Sequence, residues 1–227
     1  MYKCSLSSFA LIDFSKTNVI AHTHTQVTSP APVRTRGPFD PYTMNIEGPK
    51  YPEVVPCFVE VSKESRNKYE WDHDLGVLTL DRVLHSAVYY PHDYGFIPQT
   101  LCGDGDPLDI LVMSTSPLLP GCVVNCRPIC YMVMEDEKGM DEKVLAVNAK
   151  DAHYMDIKTM KDLHEHTLRE IAEFFATYKK LEKDKWAKVG GWRGTEDTIA
   201  LIKQSHANYK KQFEIELAQA DGSQLDE

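Results

Sequence analysis

Residues 103–113 read GDGDPLDILVM, and how this stretch is interpreted decides the fold class. Asp104, Asp106 and Asp109 crowd into six positions, with a glycine turn before them and an apolar run after. If the loop were an EF-hand, helices would flank it. That loop needs oxygen ligands at positions 1, 3 and 5, glycine at 6 and glutamate at 12. Counted from Asp104, these later positions hold Leu108, Asp109 and Thr115, so the pattern fails at three places. What remains is an acidic turn feeding a strand. Two unit charges about 4 Å apart cost roughly 4 kcal/mol at an effective dielectric near 20. Either the carboxylates splay into solvent or something positive sits among them.

Strand signals surround this turn. FVEV and VLTLDRVL alternate apolar and polar residues, and His73-Asp74-Leu75-Gly76 reads as the hairpin turn just before the second. AVYY, ILVM, CVVNCRPICYMVM and KVLAVNA follow as short strands punctuated by prolines. This pattern predicts a small antiparallel barrel. The period then changes. Asp162 and Glu165 read as a cap, Leu168, Ile171, Phe175 and Tyr178 recur at helical spacing, and GGWRG reads as a turn. A second helix is expected from about Thr195, presenting Ile199, Ile202, His206, Tyr209 and Phe213. The fold class is therefore α+β and mainly β.

Residues 1–50 differ. They are rich in Ser, Thr and Pro, and up to Arg36 they carry four basic residues and one acid. A targeting peptide and a solvated tail both match that composition. The expected boundaries are an extension over 1–50, a domain over 51–213 and a tail over 214–227. The expected location is cytoplasmic, or an organelle matrix if residues 1 to about 40 are a transit peptide.

The chain has 227 residues and a net charge of −9, which disfavours a general nucleic-acid surface. No apolar stretch reaches the roughly 18 residues needed to cross a bilayer. The six cysteines form no CxxC pair, which speaks against a zinc ribbon. Cys122, Cys126 and Cys130 are four apart in an apparent strand and so are expected on one face, as reduced core residues.

A second acidic stretch, EDEKGMDEK, carries Asp136 and Asp141. Hard divalent cations prefer such oxygen ligands. Basic and phenolic residues punctuate the strands: Lys68 and Glu70 flank Tyr69, Arg82 sits in LDRVL, and Tyr90 and Tyr94 sit in VYYPHDYGFIP. Carboxylates for metal ions and Lys, Arg and Tyr for phosphate oxygens together make a phosphoryl-transfer set.

With DGDPLD, YYPHDYGFIP and KWAKVGGW, the chain resembles the family I soluble inorganic pyrophosphatases over about Phe58 to Tyr209, in their bacterial-like branch. The resemblance implies a five-stranded, OB-like barrel with two C-terminal helices, and Mg²⁺-dependent hydrolysis of pyrophosphate by a homo-oligomer, with a hexamer favoured and a dimer open. It implies three to four Mg²⁺ ions held by Asp104, Asp109, Asp136 and Asp141. Asp106 takes the role of general base, with Tyr94 beside the nucleophilic water. Phosphate oxygens fall to Lys68, Arg82, Tyr94, Lys143, Tyr178 and Lys179. Glu60, Glu70 and Tyr90 support the site, the glutamates through water or indirect metal contacts. No nucleic acid or membrane partner is implied. The first 50 residues match nothing in that family pattern.

Overall fold

A computed structural model describes residues 39–220. Its strands are β1 (Val55–Val61), β2 (Asn67–Asp72), β3 (Val77–Val83), β4 (Asp93–Phe96), β5 (Asp109–Met113), β6 (Val123–Asp136), β7 (Gly139–Met140), β8 (Lys143–Asn148) and β9 (Ala187–Arg193). The helices are α1 (Glu165–Thr177) and α2 (Thr195–Ala220). Strands β1, β4, β5, β8 and β6 pair in that order, and β6 pairs back with β1, so five strands close into a ring. Four contacts of the ring are antiparallel and one, β5 with β8, is parallel. β2 and β3 form a separate hairpin with the expected turn at Asp72–Gly76.

Strands β1, β4, β5 and β8 are buried on both faces, and alternation sorts their side chains. Leu111, Met113, Leu145 and Val147 pack with Ile171, Phe174 and Phe175 of α1. Their neighbours Ile110, Val112, Val144 and Ala146 pack with Ile202 of α2. Two irregularities shift that alternation. Register slips between Val59 and Val61 of β1 and between Pro128 and Cys130 of β6. A one-residue slip turns the following side chains to the other face. Cys126 accordingly joins the α2 side and Cys130 the α1 side, which corrects the expectation of a single cysteine face.

Other local expectations also change. GGWRG is not a free turn: most of it is the end of β9, which pairs with β6, and Gly191 at φ +102° takes up the bend. AVYY is not a strand. Asp162 caps a short 3-10 turn through Thr159, while His164 caps α1. The extension expected over 1–50 lies outside the described residues as far as 38. Residues 39–50 are described, and there Pro41 and Ile46 are buried. The helix α2 runs to Ala220, and the tail beyond it lies outside the described residues. No described helix is long and apolar enough to cross a membrane.

Candidate active site

The parallel contact of the ring builds the site. It aligns Asp109, the first residue of β5, with Lys143, the first of β8. Lys143 is buried, and its ammonium bridges the carboxylates of Asp109 and Asp141. Burial alone would push that ammonium down, but the two carboxylates outweigh it and hold it above the usual lysine range. They also share this one cation. Burial raises Asp141 to about 6, and Asp109 adds to the rise against the pull of Lys143. Tyr94 of β4 donates from its hydroxyl to Asp109 Oδ2 at 2.5 Å. Burial keeps that phenol above its ordinary value, so it remains a proton donor.

A second buried ion pair closes the opposite wall. Lys179, just after α1, donates to Asp136 Oδ2 at 2.7 Å and to Glu137 Oε2 at 3.0 Å. The hairpin forms a third wall, where Lys68 of β2 lies opposite Arg82 of β3. Lys68 pairs with Glu70 and with Asp81, and Arg82 Nε lies 3.4 Å from buried Glu182. On β1, Glu60 accepts from the Trp71 amide at 3.0 Å, and burial raises its carboxyl to about 8. The GDGD turn is held by the Asp106 amide donating to Asp104 Oδ1 at 3.1 Å, with Gly105 at φ +88°. Asp106 itself stays exposed and meets Lys138 Nζ at 3.1 Å.

These walls enclose a cleft of about 370 Å³. Asp104, Asp106, Asp109, Asp136, Asp141, Glu60, Glu70, Lys68, Arg82, Lys143, Tyr94, Tyr178 and Lys179 all line it. Tyr90 does not. It is buried behind Tyr94, with the ring centroids 5.2 Å apart. Sequence reasoning missed Tyr42, Trp71, Asp81, Phe96, Glu137, Lys138 and Lys185, which also line the cleft. Glu137 and Lys138 lie inside the acidic stretch already noted, so their position was a usable signal. Tyr42 carried none, because it comes from the Pro-rich extension.

Among the described residues, no three carboxylate, imidazole or thiolate side chains already converge on one point. The ammoniums of Lys143 and Lys138 lie against Asp109, Asp141 and Asp106. Carboxylates nevertheless outnumber basic groups along the cleft, and its Asp and Glu side chains are hard oxygen donors with no thiol or imidazole among them. That chemistry fits a hard divalent cation and not zinc.

A pocket of this make-up, lined by carboxylates and by Lys, Arg and Tyr side chains, can hold cations and phosphate groups together. A sequence model of the pyrophosphatase family, described as inorganic pyrophosphatase, matches residues 57–210. The inorganic pyrophosphatase of Thermus thermophilus is 52% identical over 165 residues, covering 72% of this chain and 94% of that relative. That of Aquifex pyrophilus is 49% identical, over 72% of this chain and 94% of the relative. The crystal structure of the Thermus thermophilus inorganic pyrophosphatase superposes with a TM-score of 0.73 at 50% identity, covering 75% of this chain and 98% of that one. The chain belongs to the inorganic pyrophosphatase family and is an enzyme of the inorganic diphosphatase class, similar to its bacterial members.

Proposed function

We propose that this enzyme hydrolyses inorganic pyrophosphate to two phosphates, with Mg²⁺ as cofactor and Asp106 as general base. The observation that supports this most is the meeting of Asp104, Asp106, Asp109, Asp136 and Asp141 with Lys68, Arg82, Lys143, Tyr178 and Lys179 on one cleft. Asp104, Asp109, Asp136 and Asp141 would hold three to four Mg²⁺ ions, as the family resemblance suggests. When bound, Mg²⁺ neutralises phosphate charge and makes a coordinated water more acidic. Lys68 and Arg82 bind phosphate oxygens from the hairpin wall, and Lys143, Tyr178 and Lys179 bind them from the opposite side. This arrangement orients one phosphorus for in-line attack. Asp106 carries an exposed carboxylate at the tip of its turn, so it can accept the proton of the attacking water. Tyr94, hydrogen-bonded to Asp109, is a neutral donor beside that water. The cationic side chains then stabilise the charge of the departing phosphate.

The test is phosphate release from pyrophosphate with Mg²⁺, measured alongside polyphosphate and nucleotide substrates. Rapid, EDTA-sensitive release from pyrophosphate is expected. Binding of Mg²⁺ and pyrophosphate without turnover would instead indicate a binding module. The enzyme works as a homo-oligomer, hexamer favoured over dimer, in the cytoplasm, or in an organelle matrix if residues 1 to about 40 are removed. Ultracentrifugation and sequencing of the mature N-terminus test these two points.

A further inference from the structure

Tyr42 reaches the cleft from residues 39–50, outside the stretch that the family model matches. It is held from several sides. Asp40 caps its short 3-10 turn, accepting from the Tyr42 amide at 3.0 Å. The Tyr42 carbonyl accepts from the Gln99 amide at 2.8 Å, and Gln99 Nε2 donates to the Thr43 carbonyl at 3.2 Å. Gln99 is itself pinned to α2, because its carbonyl lies 2.6 Å from His206 Nδ1. The Tyr42 ring is wedged between Phe96 and His73, with centroids 4.4 and 4.3 Å away. Few rotamers survive such packing, so the hydroxyl is well positioned.

Among the described residues, the Tyr42 hydroxyl has no hydrogen-bond partner, and Tyr42 lines the same cleft as the carboxylates of Glu60, Asp106 and Asp109. Burial first, and these carboxylates next, drive the phenol well above its ordinary value. It is therefore an O–H donor at every working pH. Two of the three carboxylates already have fixed partners: Glu60 takes the Trp71 amide, and Asp109 takes Tyr94 and Lys143. The Asp106 carboxylate has only Lys138, and both side chains of that pair are more than half exposed, so this contact is weak. A general base works best when a third group orients it.

We infer that Tyr42 is a positioning residue: its hydroxyl donates to Asp106 during turnover and holds that carboxylate towards the attacking water. The inference rests on the role of Asp106 proposed above. The test compares wild type, Tyr42→Phe, Asp106→Asn and the double variant in phosphate release from pyrophosphate with saturating Mg²⁺, using high enzyme for the slow variants. Tyr42→Phe keeps the ring and its packing and removes only the donor. It should lower kcat about tenfold with KM changed less than twofold and the melting temperature unchanged. In the Asp106→Asn background, the same substitution should have no further effect. Wild-type kcat in Tyr42→Phe, a loss confined to KM, or full additivity with Asp106→Asn would overturn the inference. An inactive wild type would instead sink the proposed reaction, so the two failures are distinguishable.

Discussion

Lys179 donates to Asp136 at 2.7 Å across 43 residues of sequence, joining the end of α1 to the end of β6 along one wall of the cleft. Both side chains are nearly enclosed, at 4% and 9% exposure. Removing one member of such a pair leaves an uncompensated buried charge. Lys179→Met should therefore cost about 3 kcal/mol in a urea titration, and it should slow pyrophosphate turnover as well. Unchanged stability would mean that Asp136 rehydrates freely.

Asp106 is exposed and contributes little to packing. Asp106→Asn is expected to leave the melting temperature within about 2 °C of wild type while kcat falls by orders of magnitude. Asp109→Asn should lose a comparable amount of activity, because it removes charge where Lys143 and the proposed cation sites meet. Circular dichroism alongside steady-state kinetics separates loss of fold from loss of chemistry. Near-normal turnover in both variants would refute the assigned roles.

Carboxylates dominate the cleft, so cations should favour the folded chain. Mg²⁺ that binds only the native state at about 100 times its Kd adds roughly 2.7 kcal/mol, or about 5–10 °C for a chain of this size. EDTA should both abolish phosphate release and reverse the thermal gain. A melting curve indifferent to Mg²⁺ would count against metal binding at these aspartates.

Gly95 lies in β4 beside Tyr94, opposite Val59 of β1. A methyl at that position would collide with the Phe58 carbonyl oxygen, which is backbone and has no room to move aside. Gly95→Ala should cost about 4 kcal/mol or more, with most of the protein found insoluble on expression. A soluble variant of normal stability would show that the β1–β4 contact is softer than its geometry.

His92 is largely enclosed, and its Nε2 has no hydrogen-bond partner among the described residues. Burial first, and then nearby Lys63, lower it from the ordinary 6.5 to about 4. Between those values the unfolded chain holds the proton and the native state does not, so stability falls as pH drops through this window. At about 1.4 kcal/mol per pH unit, the full loss is roughly 3 kcal/mol below pH 4 and nothing above 6.5. His92→Phe should flatten this limb of a melting temperature against pH plot, and an unaltered slope would clear His92 of the effect.

Local patterns made much of the fold and the cleft legible. The failed EF-hand spacing left GDGDPLD as a turn into a strand, and the switch from period two to helical spacing located α1 and α2. Two acidic loops, with Lys68, Arg82, Tyr90 and Tyr94 earlier in the chain, pointed to cations and phosphate oxygens, because such charge crowding is costly without cations. Other features depended on contacts between distant segments. β9 is a strand only because β6 offers it an edge, and no alternation in GGWRG signals that. Cys126 and Cys130 face opposite ways because a bulge slips the register between them. Tyr90 sits behind Tyr94 and not in the cleft, since both share one apolar layer under α1.

Residue types and their spacing by themselves determined the elements and the chemistry that the charged groups could perform. Only the tertiary structure decided which charges share a partner. The parallel β5–β8 contact sets Asp109 beside Lys143, and the packing of residues 39–50 carries Tyr42 to the cleft. Ring closure and long-range packing create these juxtapositions, and no local periodicity encodes them.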